Sequence, residues 1–125
     1  MNLVDSCGWL EFFADGPNAP FFAKPLEQTD DLLVPSVCVY EVFKSILRQR
    51  GEDAALQVVA SMRQGKVIDL DTSISLFAAK ISLHHRLPLA DSIILATART
   101  YNAIVWTQDA DFKGIEGIHY VEKKK

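Results

Sequence analysis

Short apolar segments alternate with longer helical segments along this chain, and this alternation limits its fold more than any other feature. Mainly apolar runs stand at 3–4, 32–34, 67–70 and 103–106, each bounded by polar residues or proline. Helical patterns follow at 8–13, 36–50, 53–64, from about 72, and at 89–100. Short buried strands joined by helices form parallel βαβ units with right-handed crossovers. The sequence therefore predicts an α/β fold with a short parallel sheet, and 119–121 is predicted as an edge strand.

The size and composition of the chain fit one domain spanning residues 1–125. Its 125 residues are 49% hydrophobic and 23% charged, which is enough apolar material for a core. No apolar run approaches the roughly 20 residues that span a bilayer, and the start MNLVDS lacks the features of a secretory signal. We therefore expect a cytoplasmic protein with no membrane partner.

The charge balance restricts how the chain can meet a polyanion. Thirteen basic and 16 acidic residues give a net charge of −3, which excludes a strongly basic protein that holds nucleic acid by bulk charge. Such a substrate must be met by local positive charge or by metal ions. The two cysteines, Cys7 and Cys38, stand in no metal-ligand spacing, so we interpret them as reduced and buried, not as a disulfide or a zinc site.

Four acidic residues take positions typical of a ligand site in an α/β protein. Asp5 follows the first strand, Asp109 follows the last main strand, Asp91 lies near the start of a helix, and Glu41 lies inside the helix after the second strand. Ligands of open α/β sheets bind at the carboxyl ends of the strands. Because Asp5 and Asp91 stand among apolar residues without a neighbouring lysine or arginine, a divalent cation such as Mg²⁺ or Mn²⁺ is their natural partner.

Each of these residues also has an ordinary structural interpretation. Asp5 and Asp91 can each cap a helix, and Asp109 can stabilise a turn. Periodicity alone leaves Glu41 either facing inward or exposed on its helix.

Taken in order, four segments resemble the acidic motifs of PIN-domain nucleases, and among these most closely the VapC-type toxins. The segments are VDSCGWLEFF, PSVCVYEVFK, LPLADSIILATA and IVWTQDADF. The resemblance covers essentially the whole chain. It implies a three-layer α/β/α domain with a short, mainly parallel central sheet. It also implies a catalytic metal site built from Asp5, Glu41, Asp91 and Asp109.

Further side chains receive roles by the same resemblance. Asp111 would support the metal ligands without contacting the metal itself, and Ser6 and Thr107 would orient the carboxylates or a metal-bound water. The implied activity is magnesium-dependent hydrolysis of RNA phosphodiester bonds, with manganese as a substitute. The implied partners are an RNA substrate, a cognate antitoxin protein and a second copy of the chain in a homodimer.

Other functions stay open at this point. The chain could be an RNA-processing nuclease that is not a toxin, or a non-catalytic PIN module that binds RNA or protein, although such a module would be expected to have lost acidic positions. A phosphatase with an aspartyl nucleophile would carry a second Asp two residues after the first, where this chain has Cys7. The aromatic residues concentrated at 9–22 fit either a protein interface or the core.

Overall fold

Residues 1–124, which the computed structural model describes, form five strands and six helices. The strands are β1 (Asn2–Val4), β2 (Leu32–Pro35), β3 (Lys66–Ile68), β4 (Ile104–Thr107) and β5 (Ile118–Tyr120). The helices are α1 (Ser6–Phe13), α2 (Ala19–Leu26), α3 (Ser36–Arg50), α4 (Glu52–Met62), α5 (Thr72–His85) and α6 (Leu89–Thr100). Every neighbouring pair of strands is parallel, in the order β3-β2-β1-β4-β5. The predicted α/β class and parallel sheet are confirmed, and β5 lies at an edge as expected.

Helices cover both faces of the sheet. The side chains of successive residues in a strand point to opposite faces of the sheet. In β1 and β2 the neighbours Leu3 and Val4, like Leu33 and Val34, have no exposed surface, so both faces are covered. The result is the predicted three-layer α/β/α arrangement. Within residues 1–124, no helix combines the length and the apolar character needed to cross a membrane.

The order of the strands creates a switch point next to β1. The chain leaves β1 toward β2 on one side and later returns to place β4 on the other side, so that Leu3 pairs with both Leu33 and Val105. In parallel sheets, ligands bind beyond the carboxyl ends of the strands at such a reversal. The ends of β1 and β4 therefore mark the place where a site is expected.

Helix α2 is the one helix that the sequence patterns did not predict. Pro20 stands in its first turn, where a missing N–H does no harm, and Pro25 lies in its last turn. Phe22 of this helix is fully buried, and an added Cβ at Gly8 would lie 2.6 Å from the Phe22 ring. Glycine at position 8 thus allows α1 to pack closely against this ring.

The aromatic residues at the start of the chain mainly fill the core. Trp9 and Phe22 are buried in the core, and Phe12, Phe13 and Phe21 are half-buried and pack against that core.

Helix α6 runs through the interior and carries one carboxylate to the switch point. All residues from 91 to 98 are buried, although ordinary helices bury only one face. Asp91 is 9% exposed in its first turn. The predicted helix at 89–100 is confirmed.

Candidate metal centre

Asp5 begins the site directly after β1. Its backbone is extended, and its Oδ1 accepts a hydrogen bond from the N–H of Ser6 at 2.7 Å, so it caps α1. Its own N–H donates to the carbonyl of Trp106 at 3.0 Å, which holds Asp5 to β4. The side chain is only 3% exposed. The capping interpretation is therefore correct, and it leaves the second carboxylate oxygen available for other contacts.

The hydroxyl of Thr107 connects two of the acidic residues. It donates to Oδ2 of Asp5 at 2.8 Å and accepts the N–H of Asp109 at 2.9 Å. Thr107 is completely buried at the end of β4. A buried hydroxyl that both donates and accepts a hydrogen bond is held in one orientation. The Thr107 hydroxyl therefore fixes the Asp5 carboxylate relative to the backbone of Asp109.

Three carboxylates meet at this point. Asp5, Asp91 and Asp109 each offer an oxygen, and these oxygens all lie within 4.8 Å of one another. Asp109 also caps the short 3₁₀ turn Ala110–Phe112 through the N–H of Asp111, at 2.9 Å from its Oδ1. Three residues that are separated by up to 104 positions in sequence thus form one acidic cluster.

The cluster carries uncompensated negative charge. Among residues 1–124 the one ion pair joins the N-terminal amine to Asp31, away from the cluster. Burial raises the pKa of Asp5 from 3.8 to about 6, against the hydrogen bonds from Thr107, Cys7 and Ser6. Burial, followed by the charges of Asp5 and Asp109, raises the pKa of Asp91 from 3.8 to about 8. Such a site favours either protons or a cation.

Glu41 stands beside the cluster and is connected to it through Ser6. It lies on α3, half-buried, and its Oε1 accepts the Ser6 hydroxyl hydrogen at 2.7 Å. It does not belong to the group of three oxygens within 4.8 Å. Asp111 is exposed, and its backbone N–H contacts Asp109. The structure therefore gathers three of the four predicted ligands tightly and places Glu41 one hydrogen-bonded residue away.

Cys7 takes a role that its sequence position did not reveal. Its thiol donates to Oδ2 of Asp5 at 3.3 Å and lies 3.4 Å from the Thr107 hydroxyl. Burial, followed by the charge of Asp5, raises the pKa of this thiol far above its ordinary value. Cys7 and Cys38 are both free, as predicted. Cys7 is only half-buried, however, and as a neutral thiol it supports the Asp5 carboxylate.

The donor set suits a hard divalent cation. Mg²⁺ and Mn²⁺ prefer oxygen ligands and are commonly held by a few carboxylates together with water. The cluster offers carboxylate oxygens on a rigid frame of strand ends and helix starts, and none of the described basic residues occupies the position of the cation.

Comparisons with known proteins agree with this architecture. The profile of the PIN domain matches residues 3–118. No curated protein matches the sequence.

Among solved structures, the similar folds include a toxin–antitoxin complex, a toxin and a VapBC assembly. A toxin–antitoxin complex from Klebsiella pneumoniae contains a chain with a TM-score of 0.82 and 20% identity, covering 95% of this chain and 96% of that one. VapC20 of Mycobacterium tuberculosis, described as a sarcin–ricin loop cleaving toxin, has a TM-score of 0.76 and 14% identity. The match covers 93% of this chain and 95% of that one. A chain of DNA-bound VapBC from Salmonella typhimurium has a TM-score of 0.74 and 17% identity, and the match covers 98% of both chains. At these identities the similarity establishes the fold.

Proposed function

Because this chain belongs to the PIN domain family, we propose that it is a divalent-cation-dependent endoribonuclease and the toxin of a VapBC-type toxin–antitoxin pair. The observation that carries the proposal is the cluster of Asp5, Asp91 and Asp109, with oxygens within 4.8 Å and no basic partner among the described residues. The reaction is hydrolysis of an RNA phosphodiester bond.

Asp5, Asp91 and Asp109 would hold the cation, and Glu41 would complete the site from α3. Magnesium is the proposed metal and manganese its substitute, because both prefer carboxylate and water oxygens. When bound, the cation supplies a Lewis acid that activates water and offsets negative charge developing on the phosphate.

The other side chains fix the geometry of this site. Thr107 and Cys7 both donate to Oδ2 of Asp5, which keeps that carboxylate from rotating. Ser6 donates to Glu41 and holds it toward the cluster. Such outer contacts orient ligands and typically change metal affinity or activity 10- to 100-fold when they are removed.

The similar structures support an antitoxin partner for this chain. Those from Klebsiella pneumoniae and Salmonella typhimurium are described as toxin–antitoxin and VapBC assemblies. We propose that this chain likewise binds a cognate antitoxin protein, forms a homodimer, and acts in the cytoplasm, where its RNA substrates are found. Purified alone, the chain should elute as a dimer in size-exclusion chromatography with light scattering.

The test is cleavage of a panel of structured and single-stranded RNAs, with single-stranded DNA as the control. Each is incubated with purified protein in Mg²⁺, in Mn²⁺ and in chelator. RNA cutting that requires metal supports the proposal. A folded, antitoxin-free protein that binds Mn²⁺ but cuts none of the RNAs would contradict it.

A further inference from the structure

Two buried amide side chains near the cluster have no role in holding a metal. Asn18 is 3% exposed and Gln108 is 7% exposed. Nδ2 of Asn18 donates to Oε1 of Gln108 at 2.9 Å, and Glu11 accepts the backbone N–H of Asn18 at 2.8 Å. A buried amide destabilises the folded protein unless its hydrogen bonds are made, and the hydrogen bonds of this pair hold both side chains in a defined position.

The amide pair holds the segment that follows β5. Nδ2 of Asn18 also donates to the carbonyl of Glu122 at 3.0 Å. One residue earlier, the N–H of Val121 donates to the carbonyl of Thr107 at 3.0 Å. These two hydrogen bonds hold the backbone of Val121 and Glu122 beside the end of β4, next to the acidic cluster. The backbone before Lys123 is therefore fixed at consecutive residues.

Lys123 lies at the wall between two adjoining cavities. Both cavities are lined by Cys7, Gln108 and Lys123. One, of about 510 Å³, also contains Asp109 of the cluster. The other, of about 280 Å³, extends between α1 and α3 as far as Arg50. Together they form a groove that leads away from the carboxylates.

The charge of Lys123 is available for a ligand. Within residues 1–124, no carboxylate oxygen lies within 4.0 Å of its ammonium group. The chain as a whole carries a net charge of −3. The two cavities are lined by the acidic residues Glu11, Asp109 and Glu122 and by two basic residues, Lys123 and Arg50. A polyanion approaching the carboxylates needs local positive charge, and along the groove Lys123 and Arg50 are the residues that supply it.

We propose that Lys123 is a positioning residue that binds the backbone phosphate of single-stranded RNA beside the bond to be cut, and that Asn18 and Gln108 hold it there. This inference rests on the proposed ribonuclease function and names the path of its substrate. An extended RNA strand fits the groove because its phosphates would pass Lys123 and continue toward Arg50.

The experiment measures kcat and KM for cleavage of a 12-nucleotide single-stranded RNA at several salt concentrations. Lys123→Ala should raise KM roughly two- to fivefold, as expected for losing one ionic contact of an exposed side chain, while Lys123→Arg restores most of it. The slope of log(kcat/KM) against log[salt] should become shallower by about 0.7, the value for one phosphate contact on a single strand. Lys124→Ala makes the same change in charge at the next residue, which lines neither cavity, and should leave KM and the slope unchanged.

The supporting amide is tested by Asn18→Ala. This variant should raise KM as Lys123→Ala does, and the double variant should be no worse than either single one, because both disrupt one contact. Thermal melting checks that Asn18→Ala is folded, and Lys123→Ala tests the proposal if it is not. Equal KM and salt slope in Lys123→Ala and Lys124→Ala, with an active parent protein, would overturn the role of Lys123 and leave the ribonuclease proposal standing. A parent protein that cuts no RNA overturns the ribonuclease proposal and this inference with it.

Discussion

The Ser6 hydroxyl donates a hydrogen bond to Oε1 of Glu41 at 2.7 Å and thereby links the start of α1 to the middle of α3. The N–H of the same serine donates to Oδ1 of Asp5 at 2.7 Å. One residue thus contacts two of the proposed ligands, which stand 36 positions apart in the sequence. This contact holds the Glu41 carboxylate beside Ser6, the residue that follows Asp5 of the acidic cluster.

Replacing Ser6 by alanine should release Glu41 while leaving the backbone contact to Asp5 in place. We expect metal-dependent cleavage to fall about tenfold, in the range seen when contacts behind a metal ligand are removed. Steady-state kinetics at varied Mg²⁺ measure this loss, and higher Mg²⁺ should recover part of it. Ser73→Ala, at an exposed position of α5, is the matched control. Unchanged kinetics in Ser6→Ala would show that the contact between Ser6 and Glu41 does not support the site.

Replacing Thr107 by valine keeps the side-chain shape and removes the hydroxyl between Asp5 and Asp109. The N–H of Asp109 and one oxygen of Asp5 then lose a partner in a buried place, which costs about 1 to 3 kcal/mol in the free energy of unfolding. Chemical denaturation measures this change, and Thr107→Ser, which keeps the hydroxyl, should lose much less. Equal stability of the two variants would mean that this hydrogen bond contributes nothing.

The metal-free protein should lose stability as the pH rises through the raised pKa values of the cluster. Asp5 and Asp91, with pKa values of about 6 and 8, bind more protons in the folded chain than in the unfolded one. Their favourable contribution is complete below about pH 4 and is lost as the pH rises toward 8. Asp91→Asn cannot lose a proton at this position. In chelator, it should therefore gain stability over the wild type as the pH rises from 5 to 8, by on the order of 1 to 3 kcal/mol.

Melting temperatures of the two proteins across this pH range provide the test. Asp69→Asn, an exposed carboxylate outside the cluster, should show no such trend. Addition of Mg²⁺ at pH 8 should stabilise the wild type and not Asp91→Asn, because a ligand that binds only the folded state stabilises it. If the difference in melting temperature between the wild type and Asp91→Asn stays constant with pH, repulsion between the carboxylates does not destabilise the folded protein.

Local patterns predicted the parts of this protein that are determined locally. Asp5 and Asp109 directly follow strands, and parallel strands bring their carboxyl ends to one edge, so their meeting could be predicted. Asp91 could be placed because its helix begins after Pro88. The distance of Glu41 from the other three could not be predicted, because it depends on how α3 is rotated against the sheet.

Other features depend on contacts that no local pattern contains. The hydrogen bond between Asn18 and Gln108 joins residues 90 positions apart. Helix α2 was missed because two prolines in eight residues are more typical of a turn than of a helix. The link from Cys7 to Asp5 arises from packing at the end of β4, and a cysteine in an apolar motif gives no sign of it.

The most direct test of the central claim compares RNA cleavage by the wild type with cleavage by Asp91→Asn and Asp69→Asn, each with Mg²⁺ and with chelator. The two substitutions make the same chemical change, one inside the cluster and one outside it. We predict cleavage by the wild type and Asp69→Asn in Mg²⁺ only, and none by Asp91→Asn although it stays folded. Cleavage by folded Asp91→Asn at the wild-type rate, or wild-type cleavage that persists in chelator, would contradict a metal-dependent site built on these carboxylates.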